Sequence, residues 1–377
     1  MFILPAIFLF ASAAAALPAG NGTHNAPRKA GRRCTGEIQS LADVAAAEEC
    51  TTIVIGGFTV PAGQTFALAP PDGASVSLTG AVTFGFQEWA GPLMTITGND
   101  ITFNGNGHEL LGQGDLYWDV DLQQQGINGG VTKPDPMLRI NMGGTFTNLK
   151  LVNSPGRAIA IGGSSLTVSE INVDNSAGSA PNSKSGSNPA GANTDGFDVS
   201  ANNVVIESST VANQDDCLAI NRGTSITFSG NTCSGGHGIS VVRTVYSTVF
   251  APSQILIFCL CNQSVNGLRI KTDATATGST VSGVTYTNNK LSGITEFGVL
   301  IDQSYPSTLG TPGTGVVINT VTFSGTNTIS VGSSAKRVEV NCGSTSSCDG
   351  TWNFAGLTVT GGAAGAVKNA PVTGGSF

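Results

Sequence analysis

The chain has 377 residues, of which 17 are Lys or Arg and 24 are Asp or Glu, for a formal net charge of −7. Charged residues make up 11% of it, against ~25% in an ordinary soluble domain, which leaves little material for Lys/Glu-rich helices or a coiled coil. The negative balance argues against unaided nucleic-acid binding, which depends on cations that neutralise phosphates. Hydrophobic residues at 40% supply a core and exclude wholesale disorder. Gly is abundant, 51 residues, but follows no Gly-X-Y period, so collagen is excluded.

Residues 1–16 read MFILPAIFLFASAAAA, an apolar run followed by small residues. This is the pattern of a secretory signal peptide, although the basic n-region is absent. Residues 17–33 are polar and basic and end in Arg32-Arg33 just before Cys34, which reads as a short propeptide with a dibasic cleavage site. Removing both segments would leave a single domain over residues 34–377, secreted and more acidic than its precursor. No later stretch has the ~18 apolar residues of a membrane span. All eight cysteines lie in this mature part, and in a secreted chain they favour disulfides over zinc. CxxC and HxxxH spacings, which zinc would need, do not occur, so no metal is expected. Local pairing suggests Cys34–Cys50, Cys217–Cys233 and Cys342–Cys348. Cys259 and Cys261 fit no evident partner.

Leu41–Cys50 (LADVAAAEEC) is the one clear helix candidate, suited to capping the open end of a solenoid. Beyond residue 50 short runs rich in Val, Ile, Thr and Phe recur between Gly, Asn and Ser turns. The interval from Leu149 to Ile171 equals the interval from Ile206 to Phe228. A fixed beat in the range of roughly 20–25 residues marks stacked coils. The predicted fold is therefore all-β, a right-handed parallel β-helix with a short N-terminal capping helix; a β-sandwich of hairpins is the weaker alternative. Residues 178–191, GSAPNSKSGSNPAG, read as a surface loop.

The chemistry-bearing residues follow this loop. Asp195 and Asp198 lie in Asn193-Thr-Asp-Gly-Phe-Asp, and Asp215-Asp216 come about one such beat after Asp195. His237 follows Asp216 by about one beat more, and Arg269-Ile270-Lys271 comes after a longer interval. Residues one coil apart stack on one face, so acids, histidine and cations should form a ladder. Like charges raise one another's pKa, and a carboxyl group kept protonated beside an ionised one is what glycosidic hydrolysis uses. Calcium binding is the competing reading, but DxDxDG-type spacing is absent.

NTDGFD, QDDC, GHG and RIK, in this order and spacing, resemble the four signature blocks of polygalacturonases, the pectin-degrading members of glycoside hydrolase family twenty-eight. NTDGFD and NQDDCLAIN are more similar to the endo-acting members, such as those of fungi, than to the exo-acting ones. The resemblance implies a parallel β-helix, no cofactor, a monomer acting on polygalacturonate, and hydrolysis of α-1,4 linkages with inversion. It also implies roles. Asp215 would protonate the leaving oxygen, Asp195 and Asp216 would hold and deprotonate water, and His237 would tune Asp215. Arg269 and Lys271 would bind substrate carboxylates, Tyr305 in IDQSYP would contact a sugar, and Asn193 would bind a hydroxyl or orient Asp195. The other classes are an exo-acting hydrolase, a non-catalytic polysaccharide-binding β-helix, and a calcium-dependent lyase. One segment departs from the pattern. Residues 241–264 lack Gly and carry an unbroken apolar run at Ile255–Cys261, suited to burial on both sides. It reads as translated intron of nearly the right length or as a divergent coil.

Overall fold

The computed structural model of the protein describes residues 31–120, 130–243 and 255–377. The signal segment, most of the propeptide and the centre of the unusual 241–264 segment lie outside these. Among the described residues, 28 strands join in one sheet, and neighbouring coils pair in parallel throughout. The sheet is wound into a solenoid with three rows of strands. Long strands such as Leu138–Val152 bend through corners and pair in all three rows. The anticipated beat is the coil itself: Leu149 pairs with Ile171, and Ile206 with Phe228.

Alternation within each strand makes the core. Ile226–Gly235 buries Ile226, Phe228, Asn231 and Cys233 while the residues between them stay partly exposed, the period of two that a pleated strand imposes. One column runs through the solenoid as Phe103, Phe146, Val168, Ile206, Phe228, Ile257, Tyr286 and Phe323, each in register with the next. Phe103 and Phe146 stack with ring centroids 4.2 Å apart; Tyr286 and Phe323 stack at 4.9 Å. Truncating a fully buried Phe in such a column costs about 3–5 kcal/mol.

One corner carries a ladder of buried asparagines. The Asn231 side chain accepts from the Ser209 N–H and donates to the Ile206 carbonyl. Asn289 does the same for Cys259 and Ile257, and Asn327 accepts from the N–H of Asn289. These bonds satisfy backbone groups that the turn leaves without a strand partner.

The expected capping helix is shorter than Leu41–Cys50. It is a 3-10 turn at Leu41–Asp43 running into a helix at Val44–Ala47, and Cys50 already begins a strand. Cys50 is tied to Cys34 by a disulfide, and this holds the residue in the first coil. The helix still packs Leu41, Val44 and Ala47 onto the end of the core. The dibasic Arg32 and Arg33, assigned above to the propeptide, open the first strand, Arg32–Ile38, and both are exposed.

Cys217–Cys233 and Cys342–Cys348 are bonded as expected. Cys259 and Cys261 bond to each other: alternate residues of a strand face the same side, and both side chains point into the core. The apolar run does not require burial on both faces. Strand Ile255–Asn262 alternates, with Leu256 and Leu260 exposed. At the carboxyl end most residues are exposed, but Phe377 packs on Phe354 with centroids 6.0 Å apart.

Candidate active site

Five successive strands of one row, Phe197–Ser200, Asp216–Arg222, Gly238–Arg243, Asn266–Asp273 and Phe297–Tyr305, form the floor of a groove. Register places Asp198, Ala219, Ser240 and Arg269 in one line across four coils. Lys271 stands two residues beyond Arg269 and faces the same way. Asp195, Asp215 and His237 sit in the turns that lead into the first three strands. The Gly196 N–H bonds the Asp216 carbonyl, and the His237 N–H bonds the Asp215 carbonyl, so the three turns are stacked.

Glycine is what lets the third turn come this close. Gly236 has φ +60, and a Cβ there would lie 2.0 Å from the Asp215 carbonyl oxygen; only a residue without a side chain fits. Asn213 pins the second turn. It is 2% exposed, and its Nδ2 donates toward the carbonyls of Thr194, Asp215 and Asp216, each 3.0 Å away. Gln214 joins the loop predicted over residues 178–191 to this wall: its amide donates to the Asn175 carbonyl and the Ser179 hydroxyl and accepts from Thr194.

The groove has a volume of about 820 Å³. Every one of the eight positions singled out in the sequence lines it: Asn193, Asp195, Asp215, Asp216, His237, Arg269, Lys271 and Tyr305. A second hollow of about 300 Å³ shares Asn193, Asp215, His237 and Val265 with it, so the cleft continues past His237.

The groups are held by direct contacts. His237 Nδ1 is 2.8 Å from Asp215 Oδ1. Asp216 accepts from Ser240 Oγ at 2.7 Å on one oxygen and from Lys271 Nζ at 2.9 Å on the other. Lys271 therefore has a carboxylate partner of its own, and its ammonium also lies 5.3 Å from the centre of the Tyr305 ring. Arg269 is different: its buried Nε has no hydrogen-bond partner. Ligand atoms of Asp215, Asp216 and His237 all fall within 4.8 Å of one another.

Charge is distributed unequally over the acids. Burial, then the neighbouring Asp215, Asp198 and Asp216, pushes the Asp195 carboxyl well above the usual range. Burial pushes Asp215 up too, but the hydrogen bond and charge of His237, with Lys271 and the Asp216 N–H, outweigh it and hold Asp215 low. Burial disfavours the His237 imidazolium, and Asp215 and Asp216 more than offset that, leaving it above its ordinary value. In the protein alone burial and acidic neighbours thus favour the protonated form of Asp195, while His237 favours the carboxylate form of Asp215.

Sequence reasoning assigned nothing to Asn213, Ser240, Asn266 or the trio Asp135, Arg157 and Asp198, all of which support or line this site. Asp198 alone had a visible signal, as the last residue of the first block.

Similarity to known proteins follows the same ground. The family model for glycosyl hydrolases family 28 matches residues 50–375. The endo-polygalacturonase of Sclerotinia sclerotiorum is 45% identical over 323 residues, covering 83% of this chain and 80% of that protein. Endopolygalacturonase I of Aspergillus oryzae is 40% identical over 374 residues, 96% of this chain and 95% of its own. Among solved structures, endopolygalacturonase I from Stereum purpureum complexed with two galacturonate superposes with a TM-score of 0.81 at 44% identity, over 91% of this chain and 100% of that one. The Erwinia carotovora polygalacturonase, at 17% identity and a TM-score of 0.61, shares the fold. A family match spanning nearly the whole described solenoid, with relatives at 40% identity and above, settles the classification: the chain is a glycoside hydrolase and belongs to family 28.

Proposed function

We propose that the protein is a secreted endo-polygalacturonase, which hydrolyses α-1,4-galacturonosyl linkages inside polygalacturonate chains with inversion. The observation that carries this reading is a groove that passes the aspartates on both sides, with Arg269 and Lys271 on one flank and the hollow beyond His237 on the other. Hollows on both sides of the aspartates leave room, among the described residues, for sugar on either side of the cleaved bond. An acidic protein holds a polyacid through charge-assisted bonds at short range, and the unpartnered Arg269 Nε is a donor awaiting one.

In this reading Asp215 gives its proton to the leaving oxygen, while Asp195 and Asp216 hold water and take its proton. Asp215 then has to be protonated when substrate is bound, although it is ionised in the protein alone. Substrate itself supplies the change. A uronate carboxylate arriving at Arg269 and Lys271 offsets the Lys271 charge that holds Asp215 low, and the ring excludes water from it. Both effects raise an acid. The proton moves from Asp195, which becomes the base as Asp215 becomes the acid. His237, hydrogen-bonded to Asp215, sets how readily that exchange occurs. Secretion would follow removal of the apolar amino end and cleavage after the exposed Arg32-Arg33 pair.

The test is polygalacturonate hydrolysis followed by reducing ends and product size. Long products early in the reaction, no unsaturated product and no loss of activity with chelator are expected. Asp215→Asn should lower kcat by at least ~10²-fold, the scale of a lost general acid, while polygalacturonate still binds. Near-normal turnover in that variant would overturn the assignment, and monomer as the sole early product would overturn endo action.

A further inference from the structure

One coil beyond Lys271, on the same face of the sheet, stands an acid outside the acid–base set. Asp302 pairs in register with Lys271 on one side and with Asn341 on the other, and neighbouring strands lie ~4.8 Å apart. Yet Lys271 bonds Asp216 and not Asp302. Asp302 is 3% exposed, and other donors fill its oxygens. Oδ1 accepts from the Ser304 N–H at 3.0 Å, the Ser304 hydroxyl at 2.7 Å and Asn341 Nδ2 at 2.9 Å. Oδ2 accepts from the Leu309 N–H at 2.7 Å. Ser304 and Leu309 stand at the two ends of a turn that carries Tyr305, Pro306 and Thr308, all of which line the groove. A second layer of bonds closes the same turn: the Gly310 N–H donates to Ser304 Oγ at 2.9 Å, and Asn341 Nδ2 also donates to the Gly310 carbonyl at 3.1 Å. Leu309 has φ +54, a conformation that a bulky residue rarely adopts, and such strain persists only where the surroundings hold it. The bond from its N–H to Asp302 is one of those holds.

We propose that Asp302 is a positioning residue for substrate binding, which acts through the turn from Ser304 to Gly310 to hold the Tyr305 ring in place beside Lys271. Asp302 does not itself line the groove, so its effect passes through the turn. A carboxylate suits the task because it only accepts, at roughly four sites over two oxygens, and the bonds from Ser304, Asn341 and Leu309 fill them. An amide in its place could serve one side alone, since its NH2 would meet the Leu309 N–H donor to donor. Saturation also keeps this acid from competing for Lys271. An acid with free lone pairs one coil away would draw the ammonium off Asp216. With its sites filled, Asp302 leaves Lys271 to Asp216 and to the face of Tyr305, 5.3 Å from the ring centre.

The inference rests on the reading of this groove as the polygalacturonate site, with Tyr305 against a sugar. The test is steady-state kinetics of the full chain on polygalacturonate for Asp302→Asn, Tyr305→Ala and the double variant. Asp302→Asn is expected to raise KM by about fivefold or more with kcat within about threefold of the parent, the pattern of binding lost equally from ground and transition states. Tyr305→Ala should raise KM too. Adding Asp302→Asn to it should change KM by less than about twofold, because a turn without its ring has nothing left to position and the two effects are coupled. Ser304→Ala removes only the hydroxyl that joins Asp302 to Gly310, and it should show the same coupling to a smaller degree. It carries the test if the thermal midpoint shows that Asp302→Asn does not fold. An unchanged KM in the folded variant overturns the proposal, and so does a rise in KM that multiplies in full onto that of Tyr305→Ala. A loss confined to the thermal midpoint also overturns it, since that marks a bond with a structural role alone. Tyr305→Ala by itself isolates the premise. An unchanged KM there takes Tyr305 out of the sugar site and this inference with it, whereas a raised KM there beside an indifferent Asp302→Asn refutes this inference alone.

Discussion

Asn213 shows how much of the site is built by a residue whose amide is spent on backbone carbonyls. Its single amide nitrogen gathers the carbonyls of Thr194, Asp215 and Asp216, which belong to two consecutive turns and carry the acid-bearing backbone. Removing it takes the donor from the buried Thr194 carbonyl, at ~1 kcal/mol or more, leaves the Asp215 and Asp216 carbonyls with only the N–H groups of His237 and Gly196, and frees the two turns to shift against each other. Chemistry that depends on aligned carboxyl groups is sensitive to shifts of about 1 Å, at a cost near 10²-fold. Asn213→Ala should therefore lower kcat by tenfold or more while KM changes by less than about threefold, since the cations stay in place. A purely structural role would lower the thermal midpoint and leave kcat per folded molecule unchanged; initial rates corrected for the folded fraction decide between them. Asn213 was not legible in the sequence because an Asn beside a turn reads as a corner residue. By contrast Asp195, Asp215 and His237 were legible, because a separation of about one coil along the sequence becomes adjacency once the coils stack, whereas Lys271, after a longer interval, was legible through its motif.

At the scale of the strand, inward positions accept almost any large apolar group, and one of them holds a polar atom to no purpose. Tyr286 is 1% exposed, stacked on Phe323, and its hydroxyl has no hydrogen-bond partner. Burying an unpaired hydroxyl costs ~1–3 kcal/mol. Tyr286→Phe keeps the ring and removes the burden, so it should stabilise the protein by about 1 kcal/mol, the low end of that range, seen as a raised thermal midpoint. A lowered midpoint would mean that the hydroxyl has a partner. The neighbouring coil explains where reading by pattern fell short. The run Ile255–Cys261 reads like a strand covered on both faces, yet Leu256 and Leu260 are exposed; unbroken hydrophobicity does not report which face is covered. Cys259 stands where Asn231 and Asn289 stand on the coils to either side. This coil thus breaks the corner ladder, which a residue-by-residue reading of apolar content does not reveal. The helix was overextended for a related reason: the Ala-rich sequence favours helix through Glu49, but the Cys34–Cys50 disulfide and the pairing of Arg32 with Cys50 draw Cys50 into the first coil.

For the whole molecule, the buried acids of the groove also set how stability varies with pH. Asp198 is raised from 3.8 to about 6, and Asp195 is raised well above its ordinary value. Between the unfolded and folded values the native state keeps protons that the unfolded chain releases. Their contribution is full below pH ~4; that of Asp198 is lost as pH rises through about 6, and that of Asp195 as pH rises through its own raised value. For Asp198 alone a shift of about two units corresponds to roughly 3 kcal/mol. His237 acts in the same direction: its folded value is raised, so the stabilising pair with Asp215 is intact below pH ~6.5 and lost as pH climbs through the raised value. Asp215 opposes them at the acid end. Its value is lowered, so its contribution is present above pH ~4 and disappears as pH falls further. These windows overlap between about pH 4 and 6, where a thermal-midpoint series at constant ionic strength should peak. From pH 5 to pH 8 the midpoint should fall by several degrees, and Asp198→Asn, which cannot ionise, should flatten part of that fall. A midpoint that is level from 5 to 8, or highest at 8, would mean that Asp195 and Asp198 ionise at ordinary values. It would remove the proton on Asp195 on which the proposed exchange with Asp215 depends, so a measurement of stability alone bears on the mechanism.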